Sequence, residues 1–170
     1  MDIASLASAF MGWSQGMIGT FGYLGVFVVS LVSSASIFLP VPGFLFILAA
    51  GAFLNPVVLG LVAGAGSAIG EMTGFGLGRG GSHALKSRDV KWLKRGEKWF
   101  RKGRGFLVIF AFAATPLPDD VTGILAGMFK YEWKKFLLAA FLGKTLLNLL
   151  LAFAGLYGSS AFLSMLGIGS

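Results

Sequence analysis

The stretch Thr115-Pro116-Leu117-Pro118-Asp119-Asp120 places two prolines and two adjacent carboxylates inside an apolar run from Phe106 to Phe129. Proline lacks a backbone N–H and clashes with the preceding helical turn, so it interrupts a helix. Aspartate is costly in hydrocarbon and is usually functional where it occurs there. Because a plain membrane-spanning helix would avoid both residue types, this stretch predicts a break inside a membrane segment.

The same proline motif occurs earlier in the chain, without the carboxylates, in Leu39-Pro40-Val41-Pro42-Gly43. A shift of 76 residues superimposes the two P-x-P motifs and also matches Gly51 with Gly127. Each copy precedes a longer apolar run after a short polar break. The repetition predicts two broken hairpins, whose tips contain Pro40, Pro42, Gly43, Pro116 and Pro118.

The composition is that of a polytopic membrane protein. The 170 residues are 56% hydrophobic and only 12% charged, with a mean hydropathy of +0.82, far above the values of soluble domains. The chain has no cysteine, so it forms no disulfide and no thiolate metal site, and its one histidine, His83, cannot build a metal site alone. We expect no metal and no cofactor. We also expect no enzymatic activity, because the sequence has no nucleophile motif and no phosphate-binding loop.

Positive charge is concentrated in one part of the sequence. Residues 1–78 contain no lysine or arginine, whereas residues 79–135 contain thirteen of the fourteen. Such clustering marks the cytoplasmic side of a membrane and favours contact with anionic headgroups rather than with nucleic acid. The predicted location is therefore the cell membrane, crossed several times, with the basic segment 79–104 in the cytoplasm. The core of that segment, 88–103, reads as an interfacial amphipathic helix, the alternative being a solvated linker helix.

The lengths of the apolar stretches predict an all-α membrane domain of two similar halves. Residues 21–54 are too long for one span and too short for two, so they favour a hairpin that enters and leaves by one face, its first half-helix ending at about Phe38. The chain then divides into an N-terminal interfacial helix (1–20), repeat 1 (21–78, with a span at 57–78), the basic segment (79–104), repeat 2 (105–157, with a hairpin at 105–129 and a span at 136–157) and a tail (158–170). One crossing per half would make the second half enter from the opposite face, as an inverted-topology repeat.

Polar residues inside the predicted spans are the candidate functional residues. Glu71 lies within the first span, and Lys144 and Asn148 lie one helical turn apart in the last. An intramembrane charge must face the protein interior or a cavity. The candidates for a substrate or ion pathway are Glu71, Arg79, Asp119, Asp120, Lys144 and Asn148. Two structural alternatives stay open: an aspartate could only cap a half-helix, and Glu71 could only pair with Lys144.

Glycines recur every fourth residue in the first predicted span. Small residues at this spacing allow helix backbones to approach closely. The predicted packing positions are Gly66, Gly70, Gly74 and Gly78.

Taken in order, these motifs resemble the DedA family, also called the VTT or SNARE-associated Golgi protein domain. The resemblance rests on the first proline hairpin, on Gly70-Glu71-x-x-Gly74 running into Gly78-Arg79, and on the second proline hairpin. It covers roughly residues 22–157. The second half, from Asp120 to Gly127 and on to Gly143-Lys144, particularly resembles the vacuole-membrane-protein branch of that family.

Two departures limit what the resemblance carries over. Bacterial members usually have an acidic residue before the first proline motif, where this chain has Ser33, Ser34, Ser36 and Ile37. Many also have an arginine beside the second motif, where this chain has Ala114 and Thr115. The proton-coupling and phosphate roles of those family residues are therefore not transferred.

The resemblance implies transport of phospholipids or polyprenyl-phosphate carriers between leaflets, by a flippase or a scramblase that could be coupled to protons. The expected partners are membrane lipids and protons. The main alternative is a proton-coupled exporter of small cations or drugs, since Glu71, Asp119 and Asp120 outnumber Lys144. A third class, a scaffold that transports nothing, fits less well because it needs neither broken hairpins nor buried charges.

Overall fold

The structure is a computed structural model that describes residues 3–36, 43–85, 95–98, 100, 104–115 and 120–165. The described residues form six helices of nine residues or more and no strand. In chain order they are α1 (Ile3–Ala35), α2 (Gly43–Gly51), α3 (Pro56–Leu85), α4 (Gly105–Ala113), α5 (Asp120–Met128) and α6 (Trp133–Met165). An all-helical fold agrees with the prediction from the sequence.

Helix α1 is interrupted near the predicted boundary between the N-terminal helix and the first hairpin. Gly22 has φ 51° and ψ −130°, a conformation that side-chain-bearing residues rarely adopt, so the helix kinks there. The helix ends at Ala35, earlier than the predicted end at about Phe38. Three serines at positions 33, 34 and 36 explain the difference, because serine side chains compete for backbone hydrogen bonds and weaken a helix. The tip of this hairpin, 37–42, lies outside the described residues.

The turn between α2 and α3 brings the chain back to the start of the hairpin. The Asn55 side-chain oxygen accepts hydrogen bonds from the N–H groups of Val57 (3.0 Å) and Val58 (3.3 Å). Asparagine at the N-cap followed by Pro56 in the first turn is a strong helix-starting signal. The Asn55 N–H donates to the Tyr23 hydroxyl at 3.1 Å, so the two ends of the segment 23–55 lie together.

The second half repeats this arrangement with a different turn. Helices α4 and α5 flank the proline break at 116–119, which lies outside the described residues. After α5, the Tyr131 N–H bonds to the Ala126 carbonyl and the Lys130 N–H to the Gly127 carbonyl. This is a Schellman cap, with Lys130 in the left-handed region at φ 54°. A position next to Gly105, at the start of α4, contacts the Tyr131 ring, so this segment also returns to where it began.

The two long helices α3 and α6 run antiparallel against each other. Gly60 packs on Leu149 and Gly64 on Thr145, so the pairing advances along one helix as it recedes along the other. The two N-cap positions, Asn55 and Glu132, are 77 residues apart (132 − 55 = 77). The matching glycines of the short helices, Gly51 and Gly127, are 76 apart (127 − 51 = 76). The Schellman turn therefore contains one residue more than the first turn.

Each short helix packs on the long helix of the other half. Gly78 of α3 lies against the Ile124 carbonyl of α5, and Gly155 of α6 lies against the Leu48 carbonyl of α2. Both glycines are 77 residues apart, and their partners are 76 apart, so the two contacts are equivalent. Gly51 and Gly127 make the reciprocal contacts, on Ala152 and on Phe75.

The interior contains two apolar clusters, one in each half of the fold. One includes Leu59, Ala63 and Ala152, and the other includes their counterparts at the 77-residue offset, which are Phe136, Ala140 and Phe75. Each cluster is completed by the short helix that packs on it. The polar side chains Ser67, Thr145 and Asn148 lie between the clusters in sequence along α3 and α6, and all three are buried.

The outer surface is apolar where that of a soluble protein would be polar. Large hydrophobic side chains on every described long helix are exposed, among them Leu24, Leu77, Leu107, Leu150 and Tyr157. Two segments, Pro56–Ser82 and Trp133–Gly158, are long and apolar enough to cross a membrane. An apolar exterior over an interior with buried charges is the arrangement that a hydrocarbon solvent favours. α6 remains helical beyond the predicted span end at 157, as far as Met165.

Candidate functional site: a buried ion pair between the long helices

The centre of the α3–α6 interface contains an ion pair. The Lys144 Nζ lies 2.8 Å from Glu71 Oε1, and the two side chains are only 12% and 6% exposed. Neither charge would be tolerated alone at such a site, because desolvation of an ion in an apolar interior costs several kcal/mol (about, per ion). The structure thus brings together two residues that the sequence nominated separately.

The close approach of the backbones explains why the pair can form. Gly60 and Gly64 face α6 with no side chain of their own, so α6 lies directly against the α3 backbone. The flexible stem of Lys144 then reaches along the interface to the carboxylate of Glu71. This differs from the predicted glycine positions, which began at Gly66. The signal was present in the sequence, since Gly60 and Gly64 have the same four-residue spacing.

The ion pair is one half of a nearly symmetric set of polar side chains. At the 77-residue offset, Glu71 corresponds to Asn148 and Ser67 corresponds to Lys144. Each helix thus carries a polar pair at i and i+4, which places both members on one helix face. Ser67, Glu71 and Asn148 are buried, and Lys144 is partly buried. The positions repeat between the halves, whereas the charges do not.

Two buried hydroxyls, which the sequence analysis did not single out, accompany this set. The Oγ atom of Ser30 and the Oγ1 atom of Thr145 are inaccessible and have no hydrogen-bond partner in the structure. Thr145 contacts Gly64 and follows Lys144, while Ser30 of α1 contacts Gly66. A buried hydroxyl without a partner costs stability, about 1–3 kcal/mol, so such groups often serve a ligand or water. Serine and threonine are common in apolar helices, and no sequence pattern distinguished these two.

The start of α5 approaches the ion pair from a third side. A side-chain position at Gly123 would lie 3.7 Å from the Glu71 carbonyl oxygen and 3.6 Å from the Phe136 ring. Asp120 is the first residue of α5, one turn before Gly123. The side chain of Asp120, and Asp119, Pro116 and Pro118 entirely, lie outside the described residues. Whether the two aspartates join Glu71 and Lys144 therefore stays a prediction.

The tip of the first hairpin is described only at Gly43, where α2 begins. Gly43 lies against the Ser33 side chain of α1, so the two half-helices are close at this point. Pro40 and Pro42 lie outside the described residues.

Arg79 lies apart from the ion pair. Its Nη1 donates to the Tyr131 carbonyl at 3.2 Å, which ties the end of α3 to the Schellman turn. The Phe100 ring packs edge-on against Tyr131, with ring centroids 5.7 Å apart. Burial raises the pKa of the Tyr131 phenol, an effect that the Lys135 charge opposes, so this hydroxyl is neutral at physiological pH. Arg79 thus belongs to the surface of the turn, two helical turns from Glu71.

The predicted glycine positions contact two different helices. Gly66 and Gly70 lie against the Phe27 and Leu31 carbonyls of α1, and Gly78 lies against α5. Gly74 is buried. The spacing that the sequence presents as one face therefore serves α1 first and α5 after it.

The fold and the buried ion pair describe a helical membrane protein built around two antiparallel span-length helices. The family model of the VTT domain matches residues 41–157, which include both of these helices and the whole site. The chain therefore belongs to the VTT-domain family, as its resemblance to DedA proteins implied. It is also similar to an uncharacterized protein of Methanocaldococcus jannaschii, with 28% identity over 131 residues that cover 75% of this chain and 80% of that protein. No solved structure matches the chain.

Proposed function

We propose that this protein moves lipids between the leaflets of the cell membrane, as a flippase or scramblase for phospholipids or polyprenyl-phosphate carriers. VTT-domain proteins are commonly associated with membrane transport and lipid-related functions. The observation that carries the proposal is the buried Glu71–Lys144 pair between two helices long enough to span a membrane. A buried charged pair adds little net stability over apolar packing, so its presence favours a role in transport.

The proposed architecture is a pair of re-entrant hairpins related by an inverted repeat. Three observations support it. The helices α3 and α6 are antiparallel, as inversion requires, and the short helices exchange equivalent glycine contacts between the halves. Each hairpin also returns to its starting point, at Tyr23 and Asn55 in the first half and at Gly105 and Tyr131 in the second. Secondary transporters commonly bind their substrates at the interface of such repeats.

In the proposed mechanism, helix termini and Lys144 receive the anionic headgroup while the acyl chains stay in the bilayer. The N-termini of α2 and α5 follow the two breaks, and a helix N-terminus attracts anions through its free N–H groups and dipole. Protonation of Glu71 would release Lys144 from its partner, and Lys144 could then bind a phosphate. The hydroxyls of Ser30 and Thr145 would supply further hydrogen bonds.

Export of small cations or drugs is the competing function. It predicts net negative charge in the interior, because a cationic substrate needs acidic partners. Among the described interior side chains, Glu71 is already neutralised by Lys144, which favours an anionic or zwitterionic substrate. We propose no catalytic role, and we propose a multi-pass arrangement with the basic segment 79–104 in the cytoplasm.

Reconstitution into liposomes tests the proposal directly. Vesicles would contain the purified protein and a trace of fluorescent phospholipid, and the access of an impermeant quencher to the inner leaflet would be followed with time. We expect faster exchange with the wild type than with empty vesicles, and loss of that exchange in Pro118→Leu, which removes a break. A parallel cation-flux assay separates the alternatives. Cation flux without lipid exchange would replace the proposed function with the exporter.

A further inference from the structure

A basic cleft opens beside the second turn, away from the buried ion pair. Its volume is about 810 Å³, and its lining includes Arg79, Lys130 and Lys135 together with one carboxylate, Glu132. Glu132 forms an ion pair of 2.7 Å with Lys135, and both side chains are more than half exposed. The cleft therefore remains cationic, through Arg79 and Lys130. Its remaining lining is aromatic or apolar and consists of Phe100, Phe106, Tyr131, Trp133 and Leu138.

The backbone around the cleft holds its cations in a fixed arrangement. Lys130 occupies the left-handed position of the Schellman cap, which a residue with a side chain adopts at a cost of about 1 kcal/mol. Glycine is the residue usually found at this position. Arg79 is held by its hydrogen bond to the Tyr131 carbonyl, the next residue along the turn. A strained lysine beside a fixed arginine is a feature that function, rather than folding, explains.

An apolar groove adjoins the cleft. It has a volume of about 330 Å³ and runs between α3 and α6, lined by Ala65, Ala68, Ile69, Leu137 and Phe141. Trp133 and Leu138 line both the groove and the cleft, so the two cavities meet at these side chains. A cationic cavity continuous with an apolar groove on a membrane-facing helix pair matches an amphiphile, with its headgroup in one and its acyl chain in the other.

The equivalent end of the first half has no such charge. The segment around its turn, 52–58, is Ala-Phe-Leu-Asn-Pro-Val-Val, and the residue equivalent to Phe100 is Tyr23. The cleft is therefore a property of one end of the molecule, although the two ends are built alike.

We propose that this cleft and groove form a binding site for a lipid with an anionic phosphate headgroup, which Arg79 and Lys130 bind at the cytoplasmic surface. The inference deepens the proposed function by naming the headgroup chemistry and the place where a lipid docks, and it rests on that function only for the fate of the bound lipid. Tryptophan and cations at a membrane interface, Trp133 and Lys130 here, are suited to this position in the bilayer.

Thermal unfolding of the purified full-length protein in detergent provides the test. The protein is titrated with phosphatidylglycerol, with phosphatidylcholine of the same acyl chains, and with soluble glycerol phosphate. A ligand that binds the folded state raises its melting temperature, so the midpoint of the shift reports affinity. We expect phosphatidylglycerol to raise the Tm at low concentration, phosphatidylcholine to do so weakly, and glycerol phosphate to have no effect, because it lacks the chain that fills the groove.

The decisive variant is Lys130→Gly, since glycine fits the left-handed backbone and the fold is preserved. We expect phosphatidylglycerol to bind this variant about fivefold more weakly, which corresponds to about 1 kcal/mol. Lys130→Arg should restore the affinity, and the matched control Lys98→Gln, an exposed lysine outside the cleft, should leave it unchanged. Equal binding of the two lipids, equal loss in Lys98→Gln, or full stabilisation by glycerol phosphate alone would overturn the proposal.

Lipid exchange in liposomes distinguishes this inference from the proposed function. Selective binding without lipid exchange by the wild type would leave the site in place and remove the transport function. Exchange by the wild type without selective binding would remove the site and leave the transport function. Selective binding together with exchange, weakened in Lys130→Gly, is the expected result.

Discussion

The two halves of this protein repeat each other in backbone packing and differ in charge. Gly78 and Gly155 make equivalent contacts with the opposite short helix, and Leu59 and Phe136 occupy equivalent buried positions. In contrast, Glu71 has an asparagine as its counterpart, and Lys144 has a serine. Close backbone contacts require small residues wherever they recur, whereas a pair of opposite charges needs only one copy of each. The comparison shows which features belong to the shared fold and which to a function that is directional.

Sidedness offers the sharpest way to break this comparison, because its result is all or none. The chain has no native cysteine, so single cysteines can be introduced without interference. If the halves are inverted, Asn55→Cys and Glu132→Cys, at equivalent N-cap positions, should react with an impermeant thiol reagent from opposite sides. We expect positions 2, 55 and 168 outside, and positions 90–103 and 131–134 in the cytoplasm. Labelling of 55 and 132 from the same side would rule out an inverted repeat.

Removal of one partner of the ion pair should have the largest effect on stability. Lys144→Met leaves the Glu71 carboxylate buried without its cation, and we expect a loss of about 3–5 kcal/mol. The control Lys134→Met, at an exposed lysine, should change stability by less than about 0.5 kcal/mol. Adding Glu71→Gln to Lys144→Met should recover part of the loss, since no stranded charge remains.

The measurement is the unfolding free energy of the wild type, Glu71→Gln, Lys144→Met and the double variant, combined as a cycle. A coupling energy below about 0.5 kcal/mol would contradict a shared site. Because the charges occur in one orientation only, the swapped double variant Glu71→Lys with Lys144→Glu additionally asks whether direction matters. We expect it to keep the fold better than either single change and to lose lipid exchange.

Alanine at equivalent glycines sharpens the comparison of packing. Gly78→Ala and Gly155→Ala each place a methyl group against a carbonyl of the opposite short helix, and we expect similar losses of about 1–3 kcal/mol. The matched controls are Gly76→Ala and Gly158→Ala, where a methyl group meets open space. These should be neutral or stabilise the helix by about 0.5–1 kcal/mol. Unequal effects at Gly78 and Gly155, measured by thermal unfolding, would mean that the two contacts are not equivalent.

The smallest expected effect distinguishes the two turns. Lys130→Gly should stabilise the protein by about 1 kcal/mol, because glycine adopts the left-handed conformation without strain. Phe53→Gly, in the corresponding turn of the first half, should destabilise it by about 0.5–1 kcal/mol, since among the described residues only Lys130 and Gly22 have positive φ. Both variants are compared with the wild type in the absence of added lipid. Stabilisation by both changes would show that the turns do not differ as described.

The sequence predicted the helical class, the two halves and the family, because hydropathy and proline spacing are local signals. It also nominated Glu71 and Lys144, since charges stand out in apolar segments. It did not predict that α1 ends at Ala35, because helix ends depend on competing hydrogen bonds made by serines. Nor did it predict the contacts of Gly60 and Gly64, which of the predicted glycines face α1 or α5, or the unpartnered hydroxyls of Ser30 and Thr145. These depend on which helices pack together, and that follows from distances between segments far apart in the sequence.

The exchange of short helices between the halves has a consequence for biosynthesis. Helix α2 leaves the ribosome long before α6 is made, yet its close contacts, at Leu48 and Gly51, are with Gly155 and Ala152 near the end of the chain. Until then, the first half lacks the partner that completes its apolar cluster. Assembly therefore depends on contacts between segments distant in the sequence, which form late and slowly. A nascent chain that stops before Ala152 would expose an unfinished surface, on which a quality-control protease or chaperone could act.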